Sequence, residues 1–187
     1  MGVEIIKPIE FVTGGIPVID TNHENIHNGE GYGIFVLKED LADNAKYTFS
    51  FKTCSAEDGY IHFQWYWVWT NNAKVLMRLY ENPTTAPTGG TEVLPLNHNR
   101  TNGNSACAEV KEGATFDPTG AVQLDLSIFG GGGTTPSARS GGSLSNDGIE
   151  YVLEPDTFYC FEFENKSGAS ADFLFRAFWY EEEFGGL

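Results

Sequence analysis

Alternation of aromatic and polar side chains with a period of two residues is the feature that most constrains the fold of this chain. The residues from 61 to 69 read IHFQWYWVW, and the residues from 47 to 51 read YTFSF. Alternate side chains of an extended strand point to opposite faces, so both runs predict strands with one aromatic face. In the longer run we expect the following side chains to share that face: Ile61, Phe63, Trp65, Trp67 and Trp69.

The same alternation recurs along the chain and predicts an all-β fold. Strand-like runs are separated by turn-forming residues at intervals of roughly eight to twelve positions, and helical periodicity is nearly absent. We therefore expect a single β-sandwich of the jelly-roll type with roughly eight to ten strands and long polar or glycine-rich loops. Asn71 and Asn72 predict a hairpin turn between two of the strands.

Domain organisation follows from composition. Residues 1–18 are predicted to form an N-terminal arm, and residues 19–187 a single domain, because no linker or repeat divides them. Within the domain, residues 130–142 are rich in Gly, Ser and Thr and are expected to form a flexible loop.

The charge excludes several classes of partner. The chain has 26 acidic and 11 basic side chains, a formal net charge of -15. Such a field repels phosphate backbones and anionic lipid surfaces, so we expect neither a nucleic-acid nor a membrane partner. We also expect no export signal and no membrane-spanning segment, because the first residues lack a basic start and a long apolar core and no apolar run is long enough to span a bilayer.

Cysteine usage indicates a reducing compartment. Cys54, Cys107 and Cys160 are odd in number and include no C-x-x-C pair. We therefore expect no disulfide framework.

The segment from residue 23 to residue 27, His-Glu-Asn-Ile-His, matches the H-E-x-x-H pattern of zinc proteases. In those enzymes a continuous helix places both histidines on one face. Here Asn28 and Gly29 follow at once, and such residues end helices. We favour a local turn cluster of Asp20, His23 and His27 held by hydrogen bonds, with a zinc protease or a structural metal site as the weaker alternatives.

No other pattern indicates catalysis, so the chain is predicted not to be an enzyme and to need no cofactor. The glycine run at residues 130–133 lacks the G-K-[ST] ending of a phosphate-binding loop, and no G-x-S-x-G nucleophile elbow occurs. Glu162 and Glu164 fit solvent-facing positions better than a glycosidase pair. The tryptophans of residues 65–69 are interpreted as core rather than as a sugar-binding platform.

Two segments are candidates for contact with a partner protein. The first is a polar stretch with Asn97, Asn99 and Arg100, in which Arg100 could bind a carboxylate through two hydrogen bonds; an ordinary loop is the alternative. The second is the arm, whose apolar side chains exceed those of a free tail; its candidates are Ile5, Ile6 and Phe11.

Several short motifs, taken in order, resemble a family of small structural proteins of tailed bacteriophages. IDTNH at residues 19–23 with IHNG at residues 26–29 is similar to the family's I-D-x-x-H-x-x-I-H-x-G opening. LYENPT at residues 79–84, GGT at residues 89–91 and PLNHNR at residues 95–100 resemble its centre, and EYVLEP at residues 150–155 with WYE at residues 179–181 resembles its closing strands.

This resemblance implies a virion structural protein with a β-sandwich fold and no catalytic residues. It implies a capsid decoration, or cement, protein that binds the major capsid protein on the outside of the head shell after synthesis in the host bacterial cytoplasm. Capsid decoration often sits on three-fold axes, so we expect a homo-oligomer, a trimer by analogy. A carbohydrate- or receptor-binding module of a tail or head fibre is the main alternative.

Overall fold

The computed structural model describes residues 21–57, 59–71, 73–131, 140–143 and 151–182, and these are almost entirely β-structure. No helix among them is long and apolar enough to cross a membrane. Their elements in chain order are α1 (Thr21–Asn28), β1 (Gly31–Leu41), β2 (Lys46–Lys52), β3 (Tyr60–Thr70), β4 (Val75–Glu81), β5 (Thr91–Glu92), β6 (Leu96–Asn97), β7 (Glu109–Glu112), β8 (Val122–Phe129), β9 (Ser140–Ser143), β10 (Tyr151–Leu153), β11 (Phe158–Asn165) and β12 (Ala171–Glu182).

The strands of the described residues form two antiparallel sheets of six strands each. Sheet A has the order β10-β3-β12-β1-β6, and β9 pairs with a second segment of β3. Sheet B has the order β5-β7-β2-β11-β4-β8. The all-β prediction is confirmed. The described residues contain more strands than the predicted eight to ten because two-residue segments such as β5 and β6 also pair.

Aromatic side chains from the two sheets meet in a common core. Phe49 of β2 lies 4.9 Å from Phe175 of β12 between ring centroids, and Phe51 of β2 lies 5.0 Å from Trp179 of β12. All four side chains are buried. Burial of an aromatic side chain stabilises a fold by roughly 1.5–3 kcal/mol, so the alternating aromatic runs account for the association of the two sheets.

A β-bulge in β3 places Trp67 and Trp69 on the opposite face from the predicted one. Trp65 pairs with Phe178 and Phe63 pairs with Trp179, so Gln64 is one residue in excess. Beyond the bulge the buried residues are Tyr66, Val68 and Thr70. Trp67 and Trp69 therefore lie on the outer face of sheet A, and the prediction that they share the core face with Ile61 and Phe63 is wrong.

Two further local predictions are corrected by the topology. Asn71 follows β3 of sheet A and precedes β4 of sheet B, so this turn joins the two sheets and is not a hairpin. The predicted flexible loop at residues 130–142 ends inside a strand, because β9 pairs with β3. Residues 132–139 of that loop, and the whole predicted arm at residues 1–18, lie outside the described residues.

A candidate binding face on sheet A

The outer face of sheet A carries two cross-strand rows of apolar and aromatic side chains around one arginine. In the first row Leu37 of β1 pairs with Leu174 of β12, which pairs with Trp69 of β3. In the second row Phe35, Arg176 and Trp67 occupy the same three strands. Phe35 is 60% exposed and Leu37 is 54% exposed. An apolar surface of this kind on one face of a sheet indicates a protein-protein or ligand contact.

A pocket of about 280 Å³ continues this face toward β6. We call it the arginine pocket, and its lining includes Phe35, Leu96, His98, Arg100, Arg176 and Phe178. None of the described carboxylates forms an ion pair with Arg100 or Arg176, although acidic residues outnumber basic ones in the chain. The Arg100 guanidinium is held by a hydrogen bond to the Asn97 carbonyl at 3.3 Å.

The floor of the arginine pocket depends on Gly33. A methyl group at this position would lie 2.7 Å from His98 Nε2 and 3.0 Å from the Ala177 carbonyl. Because Gly33 leaves this space open, the His98 ring packs on Phe178 with 4.7 Å between ring centroids. Partial burial and then the charge of Arg176 lower the pKa of His98, so its imidazole is neutral at neutral pH.

Asn97 organises the loop that follows β6. Its Nδ2 donates to the Gly29 carbonyl at 2.8 Å and to the Asn104 carbonyl at 3.2 Å, and its Oδ1 accepts from the Asn99 amide at 2.8 Å. The residue is only 7% exposed. Asn97 is thus committed to contacts within the chain and is not available to a partner, contrary to its place among the predicted contacts.

Asn99 also makes contacts within its own chain. Its Nδ2 donates to the His27 carbonyl at 2.8 Å, and its Oδ1 accepts from the amide and hydroxyl of Thr101. Of the predicted contact residues in this loop, Arg100 has the side chain that is exposed.

The far end of the same loop is fixed by a carboxylate and by a disulfide. Glu181 of β12 accepts hydrogen bonds from the amides of Cys107 and Ala108 and from Trp179 Nε1 at 2.8, 3.2 and 3.0 Å. Burial raises the pKa of Glu181 despite these donors. Cys54 and Cys107 form a disulfide, so the expectation that the chain contains no disulfide is wrong. The loop between β6 and β7 is thereby held at both ends.

The third cysteine is chemically protected. Cys160 is free and buried in β11, and its burial raises the pKa of its thiol to about 12. A thiol in this state is a poor nucleophile.

The H-E-x-x-H segment is helical, which corrects the predicted turn. Helix α1 runs through both histidine positions and ends at Asn28, and Gly29 follows with a φ of 81°. Asn28 and Gly29 thus end the helix directly after His27, as expected for these residue types. The predicted cluster lies partly outside the described residues, which exclude Asp20 and the side chain of His23.

Among the described side chains, one group has three potential metal ligands within 4.8 Å of one another: Cys54, Cys107 and Glu181. Two of these ligand atoms are the sulfurs of the disulfide. The apolar arm candidates Ile5, Ile6 and Phe11 lie outside the described residues.

Sheet B has an outer face of different character, where charges neutralise one another. Glu162 accepts from Lys46 at 3.0 Å and from Arg78 at 3.1 Å, and Glu164 pairs with Arg78 at 2.9 Å and with Lys166 at 2.6 Å. Both glutamates are buried, so their predicted solvent-facing position is wrong. Burial raises the pKa of Glu164, but hydrogen bonds from Lys166 and Arg78 outweigh this effect and lower it.

Three comparisons with known proteins found no matching family model, curated protein or solved structure. Sequence reasoning found Arg100 but missed Arg176, Phe35 and Leu37. The available signal for Arg176 was that it is a basic residue inside the otherwise aromatic run of β12.

Proposed function

We propose that this protein is a structural virion protein of a tailed bacteriophage, most directly a capsid decoration protein, and not an enzyme. The observation that carries the proposal is the outer face of sheet A, where exposed Phe35 and Leu37 lie beside a guanidinium without a described carboxylate partner. A decoration protein needs a rigid body and one surface that fits its shell. The ordered motifs that resemble phage structural proteins supply the biological setting.

The proposed partner is the major capsid protein, bound on the outer surface of the head. We infer that the protein is made in the host bacterial cytoplasm and attaches as a homo-oligomer, with a trimer as the form that three-fold positions of a capsid favour. Repetition over the lattice multiplies the effect of a modest contact at each site.

We further infer that the two sheets form a β-sandwich of the jelly-roll type. The contacts between Phe49 and Phe175 and between Phe51 and Trp179 support facing sheets with a shared aromatic core. Among the described residues, Arg176 on the outer face of sheet A forms no ion pair, whereas Arg78 of sheet B pairs with Glu162 and Glu164.

Binding to capsids that lack the protein tests the proposal. Purified protein is mixed with such capsids and, separately, with free capsid subunits, and co-sedimentation is measured. We expect saturable binding to assembled shells, and a Phe35→Glu/Leu37→Glu variant should lose it because two carboxylates replace the apolar contact. No binding of the unmodified protein at low salt would overturn the proposal.

A matched control is available on sheet B. Val122 and Leu126 of β8 are 56% and 52% exposed, close to the values for the sheet A pair. The Val122→Glu/Leu126→Glu variant carries the same added charge and should bind shells as well as the unmodified protein. Equal loss in both double variants would mean that added acidity, and not the face, controls binding.

A carbohydrate-binding module is the second candidate, because Trp67 and Trp69 lie two residues apart on the outer face of sheet A. Flat indole rings on an accessible face can stack on sugars. A glycan array distinguishes the two functions: this candidate predicts retention of defined glycans that is lost in Trp67→Ala.

A further inference from the structure

The arginine pocket combines three features that together specify a ligand chemistry. Arg100 and Arg176 supply positive charge, and the residues around them are apolar: Phe35, Leu96 and Phe178. Leu96 is 43% exposed and Phe35 is more so, so both are accessible from solvent. His98 is neutral and can donate or accept a hydrogen bond.

We propose that the arginine pocket binds a carboxylate that is carried by an apolar or aromatic segment of the partner protein. The carboxylate accepts hydrogen bonds from Arg100 and Arg176, and the adjoining apolar group packs on Phe35 and Leu96. The inference deepens the proposed function, on which it rests for the identity of the partner as a shell protein. Recognition of the carboxylate itself follows from the pocket alone.

Charge complementarity selects this occupant over others. The chain carries a formal net charge of -15, so a pocket with two guanidiniums is a local exception to its acidic field. Guanidinium groups bind carboxylates through paired, charge-assisted hydrogen bonds, which are about twice as strong as neutral ones. A purely apolar occupant would bury these cations without a partner, which is costly.

Preorganisation of the loop strengthens the proposal. Arg100 lies on a loop held by Asn97 at its start and by the disulfide and Glu181 at its end. Arg176 lies in β12, which is paired on both sides by β1 and β3. Because both backbones are fixed before binding, little conformational entropy is lost when the carboxylate enters.

A titration with a small aromatic acid tests the pocket without the partner. We would add 3-phenylpropanoate to ¹⁵N-labelled full-length protein and follow amide chemical shifts, with 3-phenylpropanamide as the uncharged probe. We expect saturable shifts at Gly33, Leu96 and Arg176 with a Kd on the order of millimolar for the acid, as suits so small a ligand. The amide should bind about five- to tenfold more weakly, the loss of one charge-assisted interaction.

Variants assign the effect to the arginines. Arg100→Gln and Arg176→Gln should each weaken binding of the acid by about five- to tenfold and leave binding of the amide unchanged. Arg176→Lys should retain part of the affinity because it keeps the charge but not the forked geometry. Lys111→Gln removes the same charge from exposed Lys111 on β7 of sheet B and should have no effect.

The outcomes separate this inference from the proposed function. Equal binding of acid and amide, or acid binding that is the same in Arg176→Gln and Lys111→Gln, would overturn the carboxylate pocket whether or not shells are bound. If the unmodified protein binds shells, the Arg100→Gln/Arg176→Gln variant should lose at least tenfold in affinity, and undiminished binding would refute the pocket as the contact. Failure of the unmodified protein to bind shells refutes the proposed function alone.

Discussion

Replacement of Asn97 by alanine should destabilise the protein far more than its small change in size suggests. The substitution removes three hydrogen bonds that are buried or partly buried, to Gly29, Asn104 and the Asn99 amide. Each such bond contributes roughly 0.5–1.5 kcal/mol, so we expect the free energy of unfolding to fall by about 2–3 kcal/mol. For a domain of this size that corresponds to a decrease in Tm of about 4–12 °C.

Asn99→Ala is a control with the same number of lost bonds. Asn99 also makes three side-chain hydrogen bonds, but all of them are exposed and water can replace them. The free energy of unfolding of Asn99→Ala should therefore fall by less than about 1 kcal/mol. Urea unfolding followed by tryptophan fluorescence measures both variants, and equal destabilisation of the two would refute the reasoning that burial makes Asn97 the organiser of the loop.

Three further perturbations test the electrostatics and the covalent link. Arg176→Gln should raise the pKa of His98, because it removes a neighbouring positive charge. An NMR pH titration of the imidazole measures this pKa, and an unchanged value would mean that Arg176 does not act electrostatically on His98. Glu164→Gln should destabilise the protein at neutral pH. The pKa of Glu164 is lower in the folded state than in the unfolded state. The decrease in unfolding free energy should therefore be full at pH values above the unfolded-state pKa and should vanish as the pH falls through the folded-state pKa. Urea unfolding at several pH values measures it. Reduction of the Cys54–Cys107 disulfide, which spans 53 residues, should cost about 4 kcal/mol in unfolding free energy measured with and without a phosphine reductant.

The sequence predicted the class of the fold because alternation is a local signal. Tyr47, Phe49 and Phe51 alternate in the sequence and lie in β2 as expected. The register of β3 could not be read in the same way, since a bulge is set by pairing with β12, a strand more than a hundred residues away. One extra residue at Gln64 was enough to move Trp67 and Trp69 from the predicted core to the outer face.

The candidate site was predictable only where a residue type carried its own signal. Arg100 was found because a polar loop with an arginine suggests recognition. Arg176 was missed because its meaning depends on Phe35 beside it in β1 and on His98 from another loop, neighbours that only the tertiary structure supplies. The disulfide was missed for the same reason, because an odd number of cysteines does not reveal that Cys54 and Cys107 meet.

The contrast between the two outer faces favours sheet A as the binding surface. On sheet B, Lys46, Arg78 and Lys166 form ion pairs with two buried glutamates, so these cations attract an anionic partner only weakly. On sheet A and the loop that follows β6, Arg176 and Arg100 form no ion pair with a described carboxylate, although the chain has 26 acidic residues. Since no described carboxylate pairs with Arg100 or Arg176, we infer that another molecule supplies the carboxylate that these guanidiniums bind.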